Sequence, residues 1–127
     1  EIAQCLVGSE MCIRDREKAH KEAVMEENLR AASLVPLQIM EAAQQCISHL
    51  EFLEANGSVM AVSDVGVAVQ FIRTALTGAV MNVYINTKSM KQRNEAEKIN
   101  QKAEKLLEEG TKRADLVYEK VLSRLKK

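Results

Sequence analysis

No tryptophan occurs in this sequence, and only Phe52, Phe71, Tyr84 and Tyr118 supply aromatic rings. Four scattered rings make a poor surface for stacking bases. Charge of one sign is not in excess either: 18 basic and 18 acidic residues leave a formal net charge of +0, which removes the electrostatic case for nucleic acid as a partner. Cysteine is limited to Cys5, Cys12 and Cys46, an odd number without zinc-like spacing. No disulfide framework or metal site is expected from such a set, and it fits a reducing, cytoplasmic setting. Beyond Gly8, glycines are scattered at Gly57, Gly66, Gly78 and Gly110, so no phosphate-cradling loop is expected. The longest uncharged run, Thr74 to Thr87, is about 14 residues against the ~20 a bilayer needs. No membrane span is expected, and no signal peptide, because the start lacks a basic region before an apolar core.

What is present is 46% apolar and 28% charged residue content around one proline, Pro36. This balance suits a single all-α domain of about four long helices packed on aliphatic and methionine side chains. Residues 17–33 read as a first helix, with Glu26 and Arg30 one turn apart as an ion pair. Pro36 is expected to break or kink it, since proline lacks the N–H and its ring crowds the preceding turn. A second helix then runs to about Ala55, with Leu37, Met40, Ala43 or Gln44, Ile47, Leu50 and Glu54 on one side. Cys46 reads as a small core residue. His20 and His49 read as surface or packed histidines, without partners for catalysis. A last helix over about 92–126 carries Ala96, Ile99, Ala103, Leu106, Gly110, Ala114, Val117, Val121 and Leu125 at helical spacing. At 1.5 Å per residue it is about 50 Å long, which calls for a long antiparallel partner or a second subunit. Its charged side reads as solvated.

The third helix is the most informative. Gly57 fits a position of positive φ just past a helix end. Ser63 reads as the N-cap that follows, with Asp64 in the first turn. Val65, Val69, Ile72, Leu76, Val80 and Val83 form an apolar stripe. Ala75, Gly78, Asn82 and Asn86 share another side, small and then polar. Small residues admit a close backbone or a flat ligand, and two amides one turn apart offer fixed donors and acceptors. The plain alternative for Asn82 and Asn86 is solvent exposure or hydrogen bonding between helices.

These residues carry a resemblance. Ser63, Asp64, Gly66 and Val67, followed by Asn82, Val83, Ile85, Asn86 and the basic Lys88, resemble the Ser-Asp-x-Gly-Val … Asn-Val-x-Ile-Asn pattern of the folate cyclodeaminase/cyclohydrolase family. Val35-Pro36-Leu37 is similar to that family's Val-Pro-Leu segment. The likeness covers about Glu17 to the C-terminus. It implies the C-terminal half of a helical domain that forms a homodimer or higher homo-oligomer, with its folate site between helices. The implied activity is formimidoyltetrahydrofolate cyclodeaminase, an ammonia-lyase, or methenyltetrahydrofolate cyclohydrolase. The implied substrate is a tetrahydrofolate derivative; no bound cofactor or metal is implied. Ser63, Asp64, Asn82, Asn86 and Lys88 become the candidate substrate-binding residues, Lys88 facing a folate carboxylate. The family's Pro-Gly-Gly-Gly-Ser segment and the Asp on its following helix are absent, so no catalytic residue is assigned and the chain is expected to be inactive alone.

Residues 1–16 break the compositional pattern. The run from Cys5 to Arg16 resembles a translated sequencing-adapter read-through, so 1–16 are expected to be a non-native segment and 17–127 the domain. A rival of another class is a non-catalytic helical interaction protein that dimerises through the 92–126 helix. That rival leaves the two motifs of the third helix without a task.

Overall fold

A computed structural model describes residues 2–127, with side chains from Ile13 onward. It is all-α, with three long helices instead of about four. Helix α1 spans Ile2–Asn56, α2 Val62–Thr87 and α3 Arg93–Leu125, with a short 3₁₀ turn over Val59–Ala61. The side chains of Cys5 and Cys12, and of most of the segment expected to be non-native, lie outside the described residues.

The expected break at Pro36 does not occur; the proline sits buried inside α1. The helix continues through the proline. The ring cannot donate to the Ala32 carbonyl, and Asn86 Nδ2 of α2 donates to that oxygen at 3.4 Å. One turn earlier, the buried Ser33 hydroxyl donates back to the Leu29 carbonyl at 2.7 Å, a local bond that bends helices without ending them.

The order of contacts along the chain gives the topology. From Glu22 to Glu54, side chains of α1 reach α3 and its preceding link at sequence separations of 61 to 70 residues, so these two helices run parallel. Between α2 and α3 the direction reverses: Gly66 meets Val121, Arg73 meets Asp115, Leu76 meets Gly110 and Thr87 meets Asn100. The result is a three-helix bundle in which α2 is antiparallel to both neighbours. The long partner sought for α3 is found within the chain. The apolar stripe of α3 is buried there from Ala96 to Val121, which removes the seam that a coiled-coil dimer through this helix requires.

Two apolar clusters fill the bundle. One gathers Leu37, Met40, Ala43, Leu76, Val80, Val83, Ala96 and Ile99; the other gathers Ile47, Leu50, Val62, Val65, Val69, Ala114, Val117 and Val121. The α2 stripe read from the sequence supplies both, with Ile72 half-buried between them. Glycine sets the closest approach of α2 and α3. A Cβ on Gly66 would lie 2.8 Å from Val121 Cγ1, and one on Gly110 would overlap Leu76.

The 29 residues Val59–Thr87 are long and apolar enough to cross a membrane by length and composition, with a mean hydropathy of 1.4 over the best window. The expectation of no span rested on the shorter uncharged run; Arg73 interrupts the longer one and pairs with Asp115 of α3 at 2.7 Å.

Candidate functional site

The start of α2 differs from its expected form. Ser63 is not the N-cap: the helix begins at Val62, and the N-cap position is Ala61, which makes no side-chain bond. The capping hydroxyl belongs to Ser58, whose Oγ accepts from the Met60 N–H at 3.2 Å and starts the 3₁₀ turn. Asp64 does fall in the first turn. Gly57 has no positive φ. Its N–H donates to the Leu53 carbonyl at 2.7 Å, and any Cβ there would run into that same oxygen. Close backbone approach, and not handedness, is what requires glycine.

Asn82, Asn86 and Lys88 lie at the opposite end of α2. About 19 residues separate Ser63 from Asn82, or about 28 Å at 1.5 Å per residue, so within one chain these two groups form two separate places. Ser63 and Asp64 are exposed. Ser63 borders an apolar groove of about 450 Å³ between α2 and α3, whose walls include Val67, Phe71, Tyr118, Leu122 and Leu125. Asp64 borders a smaller cleft, about 290 Å³, shared with Leu50 and Leu53 of α1 and Ala68 of α2.

At the other end, Asn86 is half-buried and Asn82 exposed. Both hydrogens of the Asn86 amide are committed, one to the Asn82 carbonyl at 2.7 Å and one to the Ala32 carbonyl at 3.4 Å. Asn82 gives its backbone oxygen to that network, while its own amide faces outward. Tyr84, between them in the motif, has its phenol pushed above the ordinary value of 10.0 by burial and by the nearby Glu104 carboxylate. It therefore stays a neutral donor across the physiological range. Lys88 is exposed just past the helix end. Next to it, Lys18, Lys21 and Lys91 ring a cleft of about 330 Å³ floored by Met25 and Leu29. Glu22 neutralises part of that charge through Lys91, at 3.4 Å. Lys18 and Lys21 were invisible as candidates in the sequence, because only tertiary packing brings the start of α1 beside the α2–α3 link.

That link is held by Glu26 and Arg93. Glu26 accepts from the backbone N–H groups of Lys91 and Gln92, at 2.8 and 3.0 Å. Those two bonds, ahead of the nearby Lys91 and Arg93 charges, hold its carboxyl below the ordinary 4.5. Arg93 Nη1 donates to the carbonyls of Thr87 and Met90 at the end of α2. The expected Glu26–Arg30 pair is thus replaced: Glu26 caps the link, and Arg30 pairs with Glu95 of α3.

Between the two ends, α1 and α2 present a bare surface. Val35, Ile39, Ala42, Cys46, His49 and Leu53 follow steps of four and three along α1, and all are exposed. Cys46 is therefore not a core residue; Ile47 takes the inward position and leaves the thiol outside. On α2, Phe71, Ala75, Gly78 and Asn82 border the same side, with Phe71 72% exposed. A Cβ on Gly78 would meet nothing within 4 Å. The close approach expected at Gly78 is not made within this chain. Among the described residues no group of three His, Cys, Asp or Glu side chains could hold a metal ion.

Comparison with known proteins identifies the lineage. The family model described as formiminotransferase-cyclodeaminase matches residues 11–105. The methenyltetrahydrofolate cyclohydrolase of Methylorubrum extorquens is 34% identical over 111 residues, covering 87% of this chain and 53% of that protein. The formimidoyltransferase-cyclodeaminase of Rattus norvegicus is 34% identical over 101 residues, covering 80% of this chain and 19% of that protein. The chain spans about half the length of the first of these relatives and a fifth of the second. It belongs to the formiminotransferase-cyclodeaminase family.

Proposed function

We propose that this chain forms part of a folate one-carbon enzyme, a formimidoyltetrahydrofolate cyclodeaminase or a methenyltetrahydrofolate cyclohydrolase. Membership of the family supports the folate reading, since its named relatives are of both kinds. The observation that carries the site assignment is the C-terminal end of α2, where the outward Asn82 amide is followed by the exposed Lys88 and by Ser89, which lines a lysine-ringed cleft.

Both reactions pass through a tetrahedral carbon between two nitrogens of the folate. Closing the ring needs one nitrogen oriented onto that carbon, and amide groups on a rigid helix supply orientation worth several kcal/mol in favourable cases, of the ~7–11 kcal/mol that full positioning offers. A proton donor for the leaving amine, worth roughly 10²–10⁴-fold, is required as well. No described residue is given that role in this reading, and turnover by the chain alone is not expected. In this reading Asn82 orients the reacting end of the folate, Lys88 meets a folate carboxylate, and Ser63 and Asp64 shape a second contact at the far end of α2. Their separation along α2 is bridged most simply by a homodimer, in which the far end of one α2 lies beside the near end of the other.

Substitution in a full-length family member that carries the same Asn-Val-x-Ile-Asn segment tests the reading. The counterpart of Asn82→Ala is expected to lower kcat/KM for the folate substrate by roughly tenfold or more, the loss of one orienting contact. Unchanged kcat/KM and unchanged folate affinity overturn the assignment of Asn82.

A further inference from the structure

Two of the three motifs that carry the family likeness, Val35-Pro36-Leu37 and Asn82-Val83-Tyr84-Ile85-Asn86, are far apart in sequence, and Asn86 of the second meets Ala32, one turn before the proline of the first. A proline inside a helix has two consequences: the carbonyl four residues earlier loses its donor, and the ring pushes that carbonyl outward. For Pro36 that carbonyl is Ala32, and a side-chain donor from another helix reaches it, Asn86 Nδ2 at 3.4 Å. The second hydrogen of the same amide is anchored on the Asn82 carbonyl at 2.7 Å, one turn back on α2. An asparagine amide has two N–H donors, and here one fixes the side chain to its own helix while the other is presented to α1. Pro36 is buried and Asn86 half-buried, so the bond sits at the edge of the packed α1–α2 interface.

We propose that Asn86 replaces the donor that Pro36 removes: it is a positioning residue that lets α1 run through its proline and fixes where the start of α1 lies against the end of α2. The two motifs are then one coupled unit. Pro36 leaves an acceptor open on α1, and Asn86 reads it. This role is independent of any ligand, and it separates the two asparagines. Asn86 is spent on the scaffold, while Asn82 keeps a free amide.

Thermal unfolding of four forms of the 127-residue chain tests the assignment: the unsubstituted protein, Asn86→Ala, Pro36→Ala and the double variant. A lost hydrogen bond of ordinary worth shifts the midpoint of a domain this size by roughly 3–6 °C. Asn86→Ala is expected to lower the midpoint by about that much when Pro36 is present. In the Pro36→Ala background the restored backbone N–H serves the Ala32 carbonyl, and the loss is expected to shrink to about a third or less. Equal losses in both backgrounds, or no loss beside Pro36, overturn the proposal. Should Asn86→Ala not unfold cooperatively, the isosteric Asn86→Asp and the ¹³C shift of the Ala32 carbonyl decide. The shift is expected to move upfield in Asn86→Asp and to return in the variant that also carries Pro36→Ala. An Ala32 shift that ignores residue 86 also overturns the proposal.

Discussion

Helix α1 has two sides that the rest of the chain treats differently. Toward α3 it is stapled by a ladder of charged contacts: Arg30 to Glu95, Glu41 to Lys102 at 2.5 Å, Glu51 to Arg113, and Glu54 to Arg124 at 3.2 Å. On its outer side next to α2 it shows Val35, Ile39 and Leu53 with no charge between them on that stripe, and nothing among the described residues covers them. The charged seam closes an interface at its rim and sets register. The bare face shows the pattern of an interface that is not yet closed. Of the candidate residues of α2, Asn82 and Asp64 border the second kind of surface, which is why the first surface is assigned to structure and the second to function.

The sharpest way to break this contrast is within α2. Leu76 is fully buried and Met81 is 71% exposed, little more than a turn further along the same helix. Leu76→Ala is expected to cost about 2–5 kcal/mol in urea unfolding, and Met81→Ala no more than about 0.5 kcal/mol. Glycines extend the test. Gly110→Ala forces the side chain of Leu76 to move and is expected to cost about 1–3 kcal/mol. Gly78→Ala meets open space and is expected to stabilise the isolated chain by up to about 1 kcal/mol, the ordinary helix gain. A loss at Gly78 would mean that the bare face is already covered, by a second copy, at the concentration used.

The seam itself is expected to respond weakly. Arg113→Ala removes contacts to Glu51 and Ser48 at a partly exposed position, and an expected cost below about 1 kcal/mol should shrink further in roughly 1 M salt. The smallest effect is a pH dependence. Glu26 has its carboxyl held below 4.5 in the folded chain. Its contribution is therefore present above the unfolded value and lost as pH falls through the lower folded value. Unfolding midpoints followed from about pH 6 down to about pH 3 should fall less steeply in Glu26→Gln than in the unsubstituted chain.

Much of the fold was legible from spacing alone. The inward stripes of α2 and α3, and the α1 side from Leu37 to Glu54, are buried where their periodicity puts them, except that Ile72 and Leu106 are half-buried and Leu125 is exposed. Most of the errors share one cause, which is that local rules were decided by distant residues. Pro36 should stop a helix, yet α1 runs through it, with a side chain from α2 meeting the Ala32 carbonyl. Glu26 and Arg30 should pair with one another, and α3 with its preceding link claims both. Ser63 has the chemistry of a cap, but Ser58 takes the position because a 3₁₀ turn precedes the helix. Cys46 was misplaced by a single step of about 100° around the helix. Of the candidate site, the α2 residues could be named from their motif. Their separation into two ends, and the lysines beside the second end, required the packed structure.

The central claim is that the outward end of α2 on the bare face meets the folate. An amide-resolved NMR titration of the 127-residue chain with 5-formyltetrahydrofolate tests it most directly. Shifts concentrated at Asn82 and Lys88, with the Glu51 and Arg113 seam unmoved, are the predicted result. Shifts confined to that seam, or no shift at millimolar ligand, would contradict it.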